Sequence, residues 1–394
     1  MAAPVLGAFA AQAAFAQISD DVIRIGVSTD LTGVYADNTG AGSVEAVKMA
    51  VADMGGAING KKIEVLVVDH LNKGDIAASK GREWLDRHGV DVIIGDGASS
   101  AVLPVARIAA EKKKIYIAVG TSTPRLTNEE CTPYTVHYAY DTVALSRGTA
   151  QAVTRNGGKS WYFITVDYAF GHSLEKEAGA VVEAEGGKVV GSARHPINAP
   201  DVSAMILQAQ ASKAQILGLA NAGGDAINTV KAAREFGALK NMKMAGLLFA
   251  IPDVHALGLE ITQGMYLTDG WYWDQSPESR AWSKRYFAVM KKQATMAQAG
   301  SYSAVTTYLK AVKATGTDDS DKVMAEMKRT PIKDMFTSHG VIRPDGRMVY
   351  DMSLMQVKSP AESKYPWDYF KKVGTVVGSE AYTQKAESKC ALWK

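Results

Sequence analysis

Two stretches in the first third of the chain combine glycine with small hydroxyl residues directly after an apolar run. Gly95-Asp96-Gly97-Ala98-Ser99-Ser100 follows Val90 to Ile94, and Gly120-Thr121-Ser122-Thr123-Pro124 follows Ile115 to Val119. A strand that stops at glycines and opens a helix presents unpaired backbone N–H groups at the positive end of the helix dipole. Ser and Thr hydroxyls there add donors without adding charge. Neither loop carries a Lys, and no general base stands beside them, so the chemistry they suggest is reversible capture of a small carboxylate. Ser99 and Ser100 as plain helix caps are the alternative, since Ser is a favoured N-cap residue.

Other site chemistries find little support. Gly95-Asp96-Gly97 resembles the start of a dinucleotide fingerprint, but Ser100 occupies the sixth position and no Lys-Ser/Thr phosphate loop occurs. The seven histidines are scattered, without an H-E-x-x-H pair. Gly97 to Ala101 misses the nucleophile elbow because its last residue is Ala. The two cysteines, Cys131 and Cys390, lie outside any zinc-like spacing. We therefore expect no enzyme activity, no metal and no cofactor. A formal net charge of +3, with cations and anions interspersed, argues against nucleic-acid binding, and the run Lys112 to Lys114 reads as the basic end of a helix.

The elements that must hold these loops follow from alternation. Val22 to Ser28, Ile63 to Val68, Val90 to Ile94 and Ile115 to Val119 read as strands, separated by amphipathic stretches such as Glu45 to Met54 and Ile76 to His88. That is βαβ repetition and a parallel sheet. After Asp141 the pattern restarts with a helix from Val143 to Asn156. Strands follow at Trp161 to Val166, Lys188 to Ala193, Gln215 to Leu219, Met242 to Leu248 and Met265 to Thr268, giving a second α/β lobe. Helices at about Glu278 to Gln293, Tyr302 to Thr315 and Asp321 to Lys328 then precede the turn Arg343-Pro344-Asp345-Gly346 and a strand from Met348 to Lys358. Such a chain crosses between its lobes several times, leaving a cleft at the carboxyl ends of two open sheets. Tyr35, Tyr168 and Trp271-Tyr272-Trp273 fall at loop positions facing that cleft, where an aromatic pair would hold a flat apolar ligand. The alternative for each is packing on its own lobe.

Residues 1–16 are small and apolar and end in Ala14-Phe15-Ala16, the pattern expected of a secretory signal; it lacks a basic n-region, as when its start is truncated or Met1 lies inside the original signal. No run reaches the ~20 apolar residues of a membrane span. In an oxidising compartment an even pair of cysteines suggests one disulfide tying Cys390 to Cys131, two free thiols being the alternative.

Ile25-Gly26-Val27 through Leu31-Thr32-Gly33, Gly95 to Pro104, Thr121 to Thr127, Asp167-Tyr168-Ala169-Phe170-Gly171 and the Asp345-Gly346-Arg347 turn occur in an order that resembles the periplasmic substrate-binding proteins of branched-chain amino acid-type ABC importers. More narrowly, Val34 to Asp37, Asp167 to His172, Asn221 to Asp225 and Asp253 to Gly258 look like the subgroup that takes up aromatic carboxylates. The resemblance implies two Rossmann-like lobes joined by a three-crossover hinge, a monomer in the periplasm that docks on permease subunits. It divides the chain into an N-terminal lobe of residues 17–140 with 269–343 and a C-terminal lobe of residues 141–268 with 344–394. Carried over, Ser99 and Ser122, with backbone groups of Ser100 and Gly120, match the carboxylate site. Tyr168 matches the aromatic that closes from the second lobe, and Asn221 and Asp253 fall near that lobe's polar contacts.

Amino-acid-binding members set an acid against the ligand ammonium. Asp253 and Asp225 are the nearest acids here, and Asp253 reads better as the cap of a helix starting at Val254. Without such an acid a buried ammonium would be unpaired, which favours a benzoate- or phenylpropanoid-like acid. A branched-chain or other neutral amino acid, or a role as an extracytoplasmic sensor subunit, are the alternatives.

Overall fold

The structure is a computed structural model describing residues 17–394; the expected signal, residues 1–16, lies outside the described residues. In chain order the first lobe contains β1 (Val22–Thr29), α1 (Gly40–Asp53), β2 (Ala57–Ile58), β3 (Lys61–Asp69), α2 (Gly74–Arg87), β4 (Val92–Asp96), α3 (Ser99–Glu111), β5 (Ile115–Gly120) and β6 (Thr135–His137). Its strands form a six-stranded sheet in the order β2-β3-β1-β4-β5-β6, parallel except for β2. All five residues of β4 and all six of β5 are buried, as expected of central parallel strands covered on both faces.

The second lobe follows with α4 (Thr142–Arg155), β7 (Ser160–Val166), α5 (Ala169–Ala184), β8 (Lys188–His195), α6 (Ser203–Ala211), β9 (Ile216–Ala220), α7 (Gly223–Glu235), β10 (Lys243–Gly246), α8 (Ile251–Leu257), α9 (Leu259–Thr262) and β11 (Tyr266–Asp269). The chain then returns to the first lobe with α10 (Pro277–Met290), α11 (Met296–Thr315) and α12 (Ser320–Arg329), α11 packing on α1 and β5. The hairpin β12 (Val341–Ile342) and β13 (Met348–Val349) precedes β14 (Met352–Val357), β15 (Phe370–Val376) and α13 (Gly378–Ala381). The second sheet runs β15-β14-β11-β10-β9-β7-β8, with β14 antiparallel to both of its neighbours, β11 and β15. No helix among the described residues is long and apolar enough to cross a membrane.

Three crossings join the lobes: Tyr138–Asp141 after β6, Gly270–Tyr272 after β11, and Tyr350–Asp351 after β13. Arg347, fully buried, ties two of them together. Its guanidinium donates to the carbonyls of Tyr138 at 2.8 Å and Tyr140 at 3.1 Å and lies 3.7 Å from the Asp141 carboxylate. The Tyr350 hydroxyl donates to the Ala139 carbonyl at 2.6 Å. Removing either charge of the Arg347–Asp141 pair would leave the other buried and unpaired.

Two expectations shift. The strand expected from Met348 to Lys358 is two strands, because the chain changes lobe between them at Tyr350–Asp351. His137 bridges to Arg347, so the hairpin, a separate two-stranded sheet, lies against the edge of the first sheet although its second strand was expected with the C-terminal lobe. The end of the chain likewise does not stay with the second lobe. Cys390 forms a disulfide with Cys131, while Glu387 receives two hydrogen bonds from Arg147 of α4.

Candidate functional site

One void between the lobes is lined by residues that follow the carboxyl ends of seven strands: Tyr35, Asn38 and Thr39 after β1, Gly97 and Ser99 after β4, Gly120 and Ser122 at the end of β5, Tyr140 after β6, Tyr168 and Phe170 after β7, Ala222 after β9, and Leu248 after β10. It holds about 320 Å³ of empty space, mouth included.

The first lobe supplies polar groups. Gly97, at φ +90°, turns the chain out of β4 so that α3 opens at Ser99. The amides of Ser99 and Ser100 thereby open α3 without backbone acceptors, at the helix end that borders the void. Ser99 Oγ lies 3.3 Å from Thr121 Oγ1, and the Thr121 carbonyl is held by the buried His137 ring at 2.8 Å. The Thr142 amide donates to the Ser122 carbonyl at 2.9 Å, which fixes that loop against the first crossing. Asp30 shapes the remaining loop by accepting from the amides of Gly33 and Tyr35 and from Asn72.

The second lobe contributes a mostly apolar wall. Tyr168 stands at the N-terminus of α5 in extended backbone, with the Phe170 ring 5.8 Å from its own. Ala222 and Leu248 complete the surface. The lobes touch across the void: the hydroxyls of Tyr35 and Tyr168 are 2.9 Å apart, and the Gly224 amide donates to the Val34 carbonyl at 2.9 Å. Burial pushes the phenols of Tyr35, Tyr140 and Tyr168 up, so all three are neutral at physiological pH. No lining side chain carries a charge at that pH.

Of the expected residues, Ser99, Gly120, Ser122, Tyr35 and Tyr168 come together here. The other four do not. Ser100, expected through its backbone alone, is exposed and outside the lining, although its amide is the second of α3. Asn221 is buried beneath the loop, its amide nitrogen donating to the His195 ring and to Thr229. Asp253 sits at the third position of α8, where it accepts the Ala250 amide at 2.8 Å, and burial lifts its carboxyl to about 7. It acts as a cap, of a helix that starts at Ile251 and not at Val254. Trp271 turns into the first-lobe side of its crossing, its indole N–H donating to Met335 and its ring edge-on to Trp282. Gly120 also differs in detail: its amide is taken by Asp96 at 2.6 Å and is not free for a ligand.

Asn38, Thr39, Gly97, Tyr140, Phe170, Ala222 and Leu248 complete the lining beyond expectation. Gly97, Tyr140, Phe170, Ala222 and Leu248 share a signal, each lying within about four residues of a strand's carboxyl end, whereas Asn38 and Thr39 stand far down the loop after β1 and have none. The arrangement can seat an anionic group against hydroxyls and helix amides while an apolar body rests on Tyr168 and Phe170. Among the groups lining it, nothing pairs an acid with a base or a nucleophile.

Residues 22–364 match the sequence profile of the periplasmic binding proteins. The crystal structure of a periplasmic binding protein from Burkholderia mallei shares 59% identity and superposes with a TM-score of 0.93, covering 95% of this chain and 100% of that one. A branched chain amino acid ABC transporter periplasmic ligand-binding protein from Burkholderia xenovorans shares 37% identity, with a TM-score of 0.84 over 94% of this chain and 100% of that one. A solute binding protein of an ABC transporter from Rhodopseudomonas palustris, solved with 3,4-dihydroxy benzoic acid, shares 22% identity and the fold, with a TM-score of 0.83 over 91% and 98% of the two chains. No curated protein sequence matches significantly. The two-lobed architecture, the cleft at the strand ends and a family match over most of the chain agree: this chain belongs to the periplasmic binding proteins, the extracytoplasmic solute-binding components of ABC transporters.

Proposed function

We propose that the cleft captures a small carboxylate with a flat apolar body, an aromatic acid of benzoate size, and delivers it to the permease of an ABC importer. The observation that carries this reading is the lining itself: hydroxyls and helix amides on one wall, aromatic and aliphatic carbon on the other, and no charged side chain between them. An α-ammonium in such a space would lack a counter-ion and would cost several kcal/mol to bury. Burying a benzene-sized surface of ~150 Å² contributes roughly 4 kcal/mol at ~25 cal/mol per Å². Charge-assisted hydrogen bonds to the carboxylate and closure of the lobes supply the remainder of the ~8 kcal/mol that micromolar affinity requires.

A second reading, a neutral amino acid ligand, is favoured by the name of the 37% identical relative and by Asp253. One oxygen of that carboxyl is unpartnered, and the group neighbours Asn38, which lines the cleft. A thermal-shift series on the mature protein with benzoate, 4-hydroxybenzoate, phenylpropanoate and leucine separates the two. An aromatic acid at 100 times its Kd is expected to stabilise the protein by about 2.7 kcal/mol. A shift with leucine and none with any aromatic acid overturns the proposal.

A further inference from the structure

Behind the polar wall lies a carboxylate that the cleft does not expose. Asp96 is the last residue of β4 and is fully buried. One of its oxygens accepts the Gly120 amide, and the other has no hydrogen-bond partner. Gly120 forms part of the cleft wall, and a Cβ placed on it would come within 2.8 Å of the Asp96 carboxylate, so only a backbone's thickness separates that group from the void.

The neighbours of Asp96 do not neutralise it. Ser43 of α1 approaches without a well-formed hydrogen bond, and α11 presents Ala297 to the same space. Tyr116 of β5 and Tyr140 beyond β6 face it as phenols that burial keeps neutral. His70, following β3, bonds the main-chain carbonyl of Asp96, and burial pushes its own pKa down. The buried His137 of β6 is likewise held neutral and turns to Thr121. Among the described residues no Lys or Arg acts on Asp96.

Taking the carboxylate site of the preceding section as its basis, we propose that Asp96 takes up a proton from solvent when an anionic ligand enters, so that the cleft binds a carboxylate and a proton together. Two carboxylates sharing one poorly solvated site cannot both stay ionised without cost, and the protein's own acid is the one denied a cation. Burial already lifts Asp96 to about 6 in the protein alone. A ligand anion beyond Gly120 lifts it further. The sign follows: affinity is full below pH 6 and weakens as pH rises, because above that point a proton must be bound along with the ligand. The residue thereby makes capture stronger in acidic surroundings and selects against ligands carrying a second negative charge near the same wall.

The test is calorimetry of benzoate and of leucine at pH 6, 7 and 8, in buffers of low and high ionisation enthalpy. For whichever carboxylate binds, we expect uptake of close to one proton per ligand at pH 7 and a Kd that rises about tenfold between pH 7 and pH 8. Asp96→Asn keeps an acceptor for the Gly120 amide and should abolish both effects, leaving affinity flat with pH. The buffer series on the unaltered protein decides the matter even if that variant does not fold. Leucine binding with proton uptake supports the inference while overturning the aromatic reading; benzoate binding without uptake does the reverse. Uptake that persists in Asp96→Asn assigns the proton elsewhere and overturns the inference, as does failure of both carboxylates to bind.

Discussion

At the ends of β4 and β5 the first lobe meets the cleft with Gly97, Ser99 and Ser122, while at the ends of β7, β9 and β10 the second lobe meets it with Tyr168, Phe170, Ala222 and Leu248. Both sets stand at the same topological place, the carboxyl ends of parallel strands. One wall is nevertheless a field of hydroxyls and amides, the other largely carbon. The scaffold fixes where a ligand sits, and the few residues after each strand decide what it is. Both walls are braced from behind by buried polar side chains. In the first, Asp30, Asp96 and His137, all buried, each anchor a loop by bonding to main-chain groups. In the second, Asn221 bonds His195 and Thr229, Asp253 accepts the Ala250 amide, and Asp225 accepts the amides of Asn198 and Ala199.

If the polar wall carries the ligand's charge, its hydroxyls should dominate affinity. Ser99→Ala and Ser122→Ala are each expected to weaken binding by about 1.5 to 3 kcal/mol, the range for a hydrogen bond to a charged group, and the double variant by more than either. Titration of all three against benzoate checks this; unchanged affinity in both single variants would place the carboxylate elsewhere.

The contact between the walls is probed next. Gly223 begins α7 at φ +55°, and a Cβ there would overlap the Val34 carbonyl of the opposite lobe. Gly223→Ala should therefore obstruct closure at a cost of about 1 to 3 kcal/mol, or five- to 150-fold in Kd, without touching the ligand. The left-handed backbone adds a loss of about 1 to 2 kcal/mol to stability in either state. Small-angle scattering should show a ligand-bound form more open than normal, and an unchanged Kd with normal compaction would mean that the lobes do not need this contact.

The smallest effect is expected at the second wall. Tyr168→Phe keeps the ring and removes the hydroxyl that meets Tyr35, so affinity should fall by only about 0.5 to 1.5 kcal/mol. A loss as large as that of Ser122→Ala would show that Tyr168 acts through its hydroxyl on the ligand and not as an apolar surface.

Much of this was readable along the chain. The hydroxyl loops were legible because strand, glycine and helix start are neighbours in sequence, and local geometry alone puts Ser99 and Ser122 at the strand ends. Trp271 also follows a strand in the second sheet, yet the crossing it occupies carries it into contact with Met335 and Trp282. Asp253 caps a helix as its sequence context suggests, but that helix starts at Ile251, before Val254, and it is the neighbouring Asn38 that lines the void. The Gly120 amide looked free in sequence because the acid that claims it lies on the adjacent strand.

The sequence by itself determined the repeating strands and helices, the two polar loops, the pairing expected of its two cysteines and the kinship with periplasmic binding proteins, because each depends on periodicity, composition or short ordered motifs. Tertiary structure alone decided which aromatic and acidic side chains reach the void. That choice is made at the crossings and between the lobes, where Arg347 grips the carbonyl of Tyr140 from 207 positions away and Tyr35 meets Tyr168 across 133. Side-chain direction at such places follows from packing between distant segments, and no local pattern encodes it.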